Sequence, residues 1–541
     1  MKSKQIRQYT IPAALVAVVG FSVWHGATSQ QIATRANPVA DAGAHLTQAA
    51  APEIATNDVS ETDVPQGADV DSADSPTMKV IFSALESVTG QPIDLNGPAY
   101  LNAGMTGERV TGRKAEIDSE AFASLSDVWE RDTVSFPSFA GQLHGVVEVA
   151  VVDDDGWRRI GGPLEGDRVK GWFSFGFNGR EARGLVRLNG EKLAYEIAPS
   201  AARATKAQMT ERPLSDFVCL SLPHAAAVLP SSNRTVAAAA AAIVTPILNS
   251  RPAATAQILM DFDGDTVNDV EWGRIVAPAS PLTASARADV FRRVRDDFLQ
   301  FNINVTTDPA KYAAAKPGKR MRCIVTTVDT AAPGAGGVAY LNSFAYSGTV
   351  FTKDIPCWCF NPTVKSIADT ISHEVGHTLG LRHDGLVGRA EYYAGHGTGA
   401  TSWGPIMGAP FTKSVTQWSK GEYKGANNYE YDIEIIANSV NAFGYAPDDV
   451  GDTLATASPL TFIAGNIEQR GVIDRMFDRD IFYFTSTNGG TLLVSASGVG
   501  NQVGNCDVQL DVFNANGTLL GHNTFDRSLG EIGRASCRER V

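Results

Sequence analysis

Apolar residues change rhythm several times along this chain, and each change predicts a different kind of element. From residue 76 to 230, apolar and polar positions alternate between glycines, as in GVVEVAVVDDDGW and GWFSFGFNG, which is the period of half-buried strands. GLVRLNGEKLAYEI adds Asn189-Gly190 between two alternating runs, the signal of a two-residue hairpin. A β-rich domain is expected there. Between residues 255 and 445 the rhythm is mixed. ILMDFDG reads as a strand, SARADVFRRVRDDFLQF as an amphipathic helix, and NINVTTD, MRCIVTTVD, GGVAYLNSF and GTVFT as further strands. Pro362-Thr363 can then open a helix in which Ile367, Ile371 and Val375 recur every four residues as a buried stripe. Another helix is expected from Tyr431 to Val440. The order predicts an α/β unit. From 446 to 530 short alternating runs return, VIDRMFDRDIFYFTST, TLLVSAS and VQLDVFNANGTLLGHN, and predict a truncated β-sandwich.

Between these units the composition simplifies. Residues 30–75, rich in Ala, Asp, Thr and Pro, cannot bury enough surface to order themselves and are expected to be a disordered leader. Residues 231–254 form an Ala-rich stretch that reads as a processing linker. At the start, Lys2, Lys4 and Arg7 precede an apolar run from Ile11 to Trp24 that is short for a bilayer span, and small residues Ala27 and Ser29 follow. Residues 1–29 are therefore expected to be a signal peptide, with bacterial-type export to the outside of the cell; an uncleaved N-terminal membrane anchor is the alternative. No later run is long and apolar enough to span a bilayer.

The length of 541 residues suits about three domains plus tails. A net charge of -13 and the lack of any basic run give no footing for nucleic acid. Six cysteines, Cys219, Cys323, Cys357, Cys359, Cys506 and Cys537, are too few for a disulfide scaffold. Cys357 and Cys359 are poorly placed to pair with each other, and a partner such as Cys323 stays open. EIGRASCRERV back-translates as a sequencing adapter, so residues 531–541 are expected to be read-through that replaces the natural C-terminus.

HEVGHTLGLRHDG, residues 373–385, holds three of the chain's nine histidines. His373 and His377 are four apart, so on a helix they project from one face and can share a metal. Gly380 can leave the helix through a backbone angle that other residues resist and so bring His383 back towards the pair. Three imidazoles leave the fourth position of a zinc ion open to water, the mark of a catalytic rather than a structural site. Glu374, between the first two histidines, is placed to act as general base and acid. DFDGDTVND, residues 261–269, bunches four carboxylates; it lacks EF-hand spacing, so a solvated turn is expected and a calcium site is the alternative. His396, alone in a Gly-rich loop, is left out of the metal set.

HEVGHTLGLRHD resembles the metzincin clan of zinc endopeptidases, whose long motif is HExxHxxGxxH. Asp384, after the third histidine, is similar to the adamalysin or reprolysin branch. WGPIMGAP supplies Met407 as the methionine that in this clan packs beneath the histidines. Ala409 stands where some branches carry a tyrosine ligand, so none is expected. The resemblance covers residues 255–445 and implies a twisted, mostly parallel sheet with a long active-site helix, one zinc ion, and hydrolysis of internal peptide bonds in protein substrates. It also favours GGVAYLNSF as the edge against which a substrate backbone pairs. DRDIFYFTSTNGGTLLVSAS resembles part of the prepeptidase C-terminal (PPC) domain of secreted bacterial peptidases. Some metzincin prodomains inhibit through a cysteine thiolate on the zinc. Cys219, at the end of the β-rich propeptide domain, is the candidate for such a latency switch; a buried thiol or a disulfide with Cys323, Cys357 or Cys359 are the alternatives. The chain is thus expected to be a secreted zymogen with its own propeptide as inhibitor. An extracellular adhesion or matrix-binding protein with a structural or inactive zinc site is the competing expectation, against which the intact Glu374 argues.

Overall fold

A computed structural model describes residues 7–11, 15–23, 78–94, 109–152, 156–165, 171–188, 191–201, 205–223, 244–346, 355–399, 402–460, 469, 471–475, 478–486, 490–494 and 508–523. The expected leader at 30–75, the turn Asn189-Gly190, the run GTVFT, Cys506 and the terminal 531–541 lie outside these residues.

The N-terminal unit is an 11-stranded sheet whose neighbours are almost all antiparallel. Alternation is clear in Lys206–Pro213, where every second side chain is buried. The two runs around the expected hairpin pair antiparallel, Ala182–Leu188 with Leu193–Pro199. Phe82, Phe122, Phe136, Phe173 and Phe175 fill the interior, all but fully buried, with edge-on ring contacts such as Phe136 to Phe175 at 4.7 Å.

The central unit carries a six-stranded sheet in the order Val218–Pro223, Ala335–Tyr340, Cys357–Cys359, Arg320–Val325, Ala256–Asp261, Ile303–Thr306. Ala256–Asp261 runs parallel to both its neighbours, and its first five residues are all buried, as expected of a strand covered on both faces. Ala335–Tyr340 runs antiparallel to Cys357–Cys359. On one face the helices Ala284–Phe298 and Val364–Thr378 pack against each other and the sheet through Val290, Phe291, Val294, Ile367, Ile371 and Val375. The mixed α/β order of the sequence is therefore present. The end of the expected linker is tied to the sheet: Ser250 donates to Val305 O and Thr307 to Leu248 O. The helix expected over Tyr431–Val440 is only Asp432–Ile436, because the Asn438 side chain captures the amides of Val440 and Asn441 and turns the chain away.

Among the described residues the first unit meets the second at a shared strand, at a hairpin tip and through the ion pair of Asp216 with Arg382 at 3.5 Å. Val218–Pro223 leaves the N-terminal sheet and becomes the outermost strand of the central one, antiparallel to Ala335–Tyr340 with Val218 opposite Tyr340 and Cys219 opposite Ala339. The hairpin Asp265–Asp269 and Gly273–Ala277 presses its tip into the N-terminal unit. There Trp172 donates to Val270 O at 2.7 Å, Ser174 to Glu271 at 3.1 Å and Arg187 to Glu271 O at 3.0 Å. Trp272 is buried behind the tip and donates to Pro356 O.

The C-terminal strands Arg479–Ser486, Val508–Asn514 and Leu519–Asn523 form a small sheet. The N-terminal apolar run expected as an export signal is in this structure a strand, Leu15–Val23, antiparallel between Arg479–Ser486 and Val508–Asn514. Among the described residues no helix is long and apolar enough to cross a membrane.

Trp272→Ala removes the packed ring that spans both units and is expected to destabilise the protein by about 3–5 kcal/mol, read as a lower thermal midpoint.

Candidate metal centre

Thr363 starts the helix Val364–Thr378 with a reciprocal cap: its hydroxyl accepts the Ser366 amide while the Ser366 hydroxyl takes the Thr363 amide. Ile367, Ile371 and Val375, each no more than 2% exposed, turn to the core. That orientation sets His373 and His377 together on the neighbouring face, both 1% exposed. The helix ends at Gly380, whose φ of +108° is open only to glycine without strain, and Leu381 returns its amide to Gly376 O. The chain then brings His383 to the pair.

Ring centroids of His377 lie 4.7 Å from both His373 and His383, and one ligand nitrogen from each ring falls within 4.8 Å of the others. Each Nδ1 is committed elsewhere, at 2.8 Å in every case: His373 to Ile406 O, His377 to Leu381 O, His383 to the Glu391 carboxylate. These partners can only accept, so Nδ1 carries the proton and Nε2 presents a lone pair. The Nε2 atoms of His373 and His377 then face each other at 3.0 Å, two lone pairs in contact. A proton does not relieve this near neutrality: burial first, then His383, pushes His373 down to about 3, and burial, then His373, holds His377 well below the ordinary histidine range. A divalent cation would relieve it, and the three rings fit one with zinc's preference for imidazole.

Glu374 is fully buried, and neither carboxylate oxygen has a hydrogen-bond partner. It lies against the strand Ala335–Tyr340, so closely that a Cβ on Gly337 would meet Glu374 Oε1 at 2.6 Å. Burial, with a smaller push from the Cys357 thiol, raises its pKa well above the usual carboxylate range. Beneath the helix Met407 is fully buried, and a Cβ on Gly376 would fall 2.6 Å from its sulfur. Asp384 is buried, donates its amide to Met407 O, and accepts the Tyr393 amide at its own carbonyl. It supports the loop from behind His383.

Of two further residues at the centre, Glu391 carried no signal in the sequence, and Tyr392, like Tyr393, could be read equally as lining a side-chain pocket or packing on the core. Glu391 orients His383 from a loop eight positions on, and the ring of Tyr392 lies 4.3 Å from that of His383. EYY has no spacing rule that ties it to the motif. Tyr393 instead stacks on Tyr423, and its hydroxyl meets His396 Nδ1 at 3.0 Å, so His396 belongs to an aromatic cluster with Trp403. Cys323, Cys357 and Cys359 are free thiols buried behind the helix. Cys219 is placed by its backbone alone. The carboxylates of DFDGDTVND do not gather: Asp263 pairs with Arg287, and Asp261 and Asp265 with Arg322. Among the described residues they form no cation-binding group.

Residues 291–384 match the model of metallo-peptidase family M12B, described as reprolysin-like. No curated protein matches the chain. The matched span runs from the first helix through all three histidines, and with the triad it supports a zinc-dependent peptidase acting on proteins.

Glu391→Ala removes the acceptor that orients His383 while leaving all three ligands in place. It is expected to weaken zinc affinity about 10–100-fold, measured by competition with a chromophoric chelator, with the thermal midpoint of the metal-free protein unchanged.

Proposed function

We propose that the protein is a secreted zinc metalloendopeptidase made as a zymogen, with His373, His377 and His383 as ligands and Glu374 as general base and acid. The observation that carries this is the gathering of three imidazoles, one ring nitrogen of each within 4.8 Å of the others, around a helix that also holds a buried, unpartnered carboxylate. Zinc held there would acidify the attacking water and polarise the scissile carbonyl. Glu374, on the same helix as His373 and His377, buried and without a hydrogen-bond partner, would take the proton of that water and pass it to the departing amine. Tyr392, beside His383, borders the space in which a substrate would lie. Asp384, together with the reprolysin-like match, supports a likeness to the adamalysin or reprolysin branch.

The strand Val218–Pro223 supports the zymogen reading. Ala335–Tyr340 is flanked by Cys357–Cys359 on one side and Val218–Pro223 on the other. Removing the latter would leave a free edge of amides and carbonyls directly beside Glu374, which is what an extended peptide backbone pairs with. While the N-terminal unit is attached, its last strand holds that edge. Cys219 lies in this strand opposite Ala339, a position next to the site helix that supports it as the thiolate of a latency switch. The short strands after residue 446 support a PPC-like accessory module, and the basic-then-apolar sequence of the N-terminal run supports an export signal, whose removal would take Leu15–Val23 out of the C-terminal sheet.

Processed protein is expected to hold one zinc per chain and to cleave an unfolded protein; chelation abolishes cleavage and zinc restores it. Glu374→Ala lowers the rate by about 10²–10⁴-fold at unchanged zinc content. Stoichiometric zinc with no Glu374-dependent cleavage would favour the adhesion or matrix-binding alternative. Unprocessed Cys219→Ala is expected to gain cleavage that the unprocessed wild type lacks; equal silence assigns latency to the strand pairing without the thiol.

A further inference from the structure

Outside the histidine centre, the described residues hold one other group of side chains able to share a cation. Asp448, Asp449 and Asp480 each offer a carboxylate oxygen, all within 4.8 Å of one another. Asp448 and Asp449 are exposed; Asp480, on the strand Arg479–Ser486, is 0% exposed. Neither oxygen of Asp480 has a hydrogen-bond partner. The backbone lies close to it instead: a Cβ on Gly471 would sit 1.8 Å from Asp480 Oδ2, so a larger residue there would displace the carboxylate. Asp478, also buried, leaves Oδ1 without a partner while Oδ2 takes the Asp474 amide.

Among the described residues no cation of the protein answers Asp480. Arg475 is engaged by Asp474 at 2.7 Å, and Asp452 takes the Arg479 amide rather than its guanidinium. Burial first, then Asp449, Asp448, Asp452 and Asp474, pushes Asp480 up to about 8. A buried carboxylate with no partner among carboxylates is a costly arrangement unless an ion completes it.

We propose that Asp448, Asp449 and Asp480 bind a divalent cation of the calcium class, and that this ion ties the C-terminal sheet to the end of the α/β unit. The donors are all oxygen, which selects a hard cation and disfavours zinc. One buried and two exposed carboxylates leave one side open to water, an irregular set that calcium tolerates and that suits magnesium's strict octahedron poorly. The placement gives the ion its role. Asp448 follows Tyr445 and Ala446, which are anchored to Phe301 and Gln300 of the α/β unit. Asp480 sits in the C-terminal sheet, whose strand Arg479–Ser486 also holds Leu460 through Tyr483 O. The sequence offered residues 261–269 as the alternative place for calcium; the structure gathers carboxylates here instead.

The test uses the full chain, zinc-loaded, in resin-treated buffer without chelator, titrated with calcium and in parallel with magnesium. Calorimetry is expected to show one saturable calcium site per chain, and calcium to raise the melting midpoint more than magnesium does. Asp448→Ala and Asp480→Asn should each weaken calcium binding by roughly tenfold or more. Their signs differ without calcium: Asp480→Asn, relieved of its buried charge, should melt above wild type, and saturating calcium should reverse the order. Absence of saturable calcium binding by the wild type, or binding undiminished in both variants, overturns the proposal. Should Asp480→Asn fail to fold, Asp448→Ala decides alone, since that side chain is exposed.

Discussion

Three imidazoles with their Nδ1 protons already committed to oxygen acceptors have only lone pairs left to turn towards one another, and much of the central unit serves to hold that unfavourable contact in place. The cap at Thr363 and the apolar stripe below fix the rotation of the helix, which brings His373 and His377 side by side. Gly380 reverses the chain, Leu381 O and Ile406 O pin two rings, and Glu391 pins the third. Met407 fills the space under Gly376, so the helix cannot settle closer to the floor. Such a site is pre-organised for a cation and strained without one.

Glu374 extends the same constraint to the sheet. Its carboxylate reaches the strand Ala335–Tyr340 at Gly337, where a larger residue would collide with it. The base and the pairing edge are thereby one structural unit: whatever strand lies along the edge also lies beside the base. In the intact chain that strand is Val218–Pro223, delivered by the N-terminal unit and steadied by the hairpin tip seated between Trp172, Ser174 and Arg187. The propeptide reading and the peptidase reading therefore draw on a shared geometry.

Several carboxylates of this acidic chain have a cation or a hydroxyl of the protein beside them. Arg322 pairs with the partly buried Asp261 and Asp265, Arg287 with the exposed Asp263, and a hydroxyl from Ser372 donates to the buried Asp297. The cluster around Asp480 has no such answer among the described residues, which is why a second cation belongs there and not at the more conspicuous DFDGDTVND run.

Local spacing alone makes the centre of the site legible. Four-residue intervals place His373, His377 and the apolar stripe on a helix because one turn is 3.6 residues, and Gly380 marks a turn because its backbone angle excludes other residues. Alternation likewise announces the strands of the first unit. What no spacing could supply is the set of partners brought by chain return. Ile406 O and Glu391 orient rings from loops, Tyr392 meets the ring of His383, and Val218–Pro223 pairs with a strand more than a hundred residues later. Asp480 meets Asp448 and Asp449 in the same way. Sequence by itself determined which side chains share a helix face or a strand face, since that follows from backbone period; the tertiary structure decided which loop, edge or carboxylate meets them, because packing and not period sets those distances.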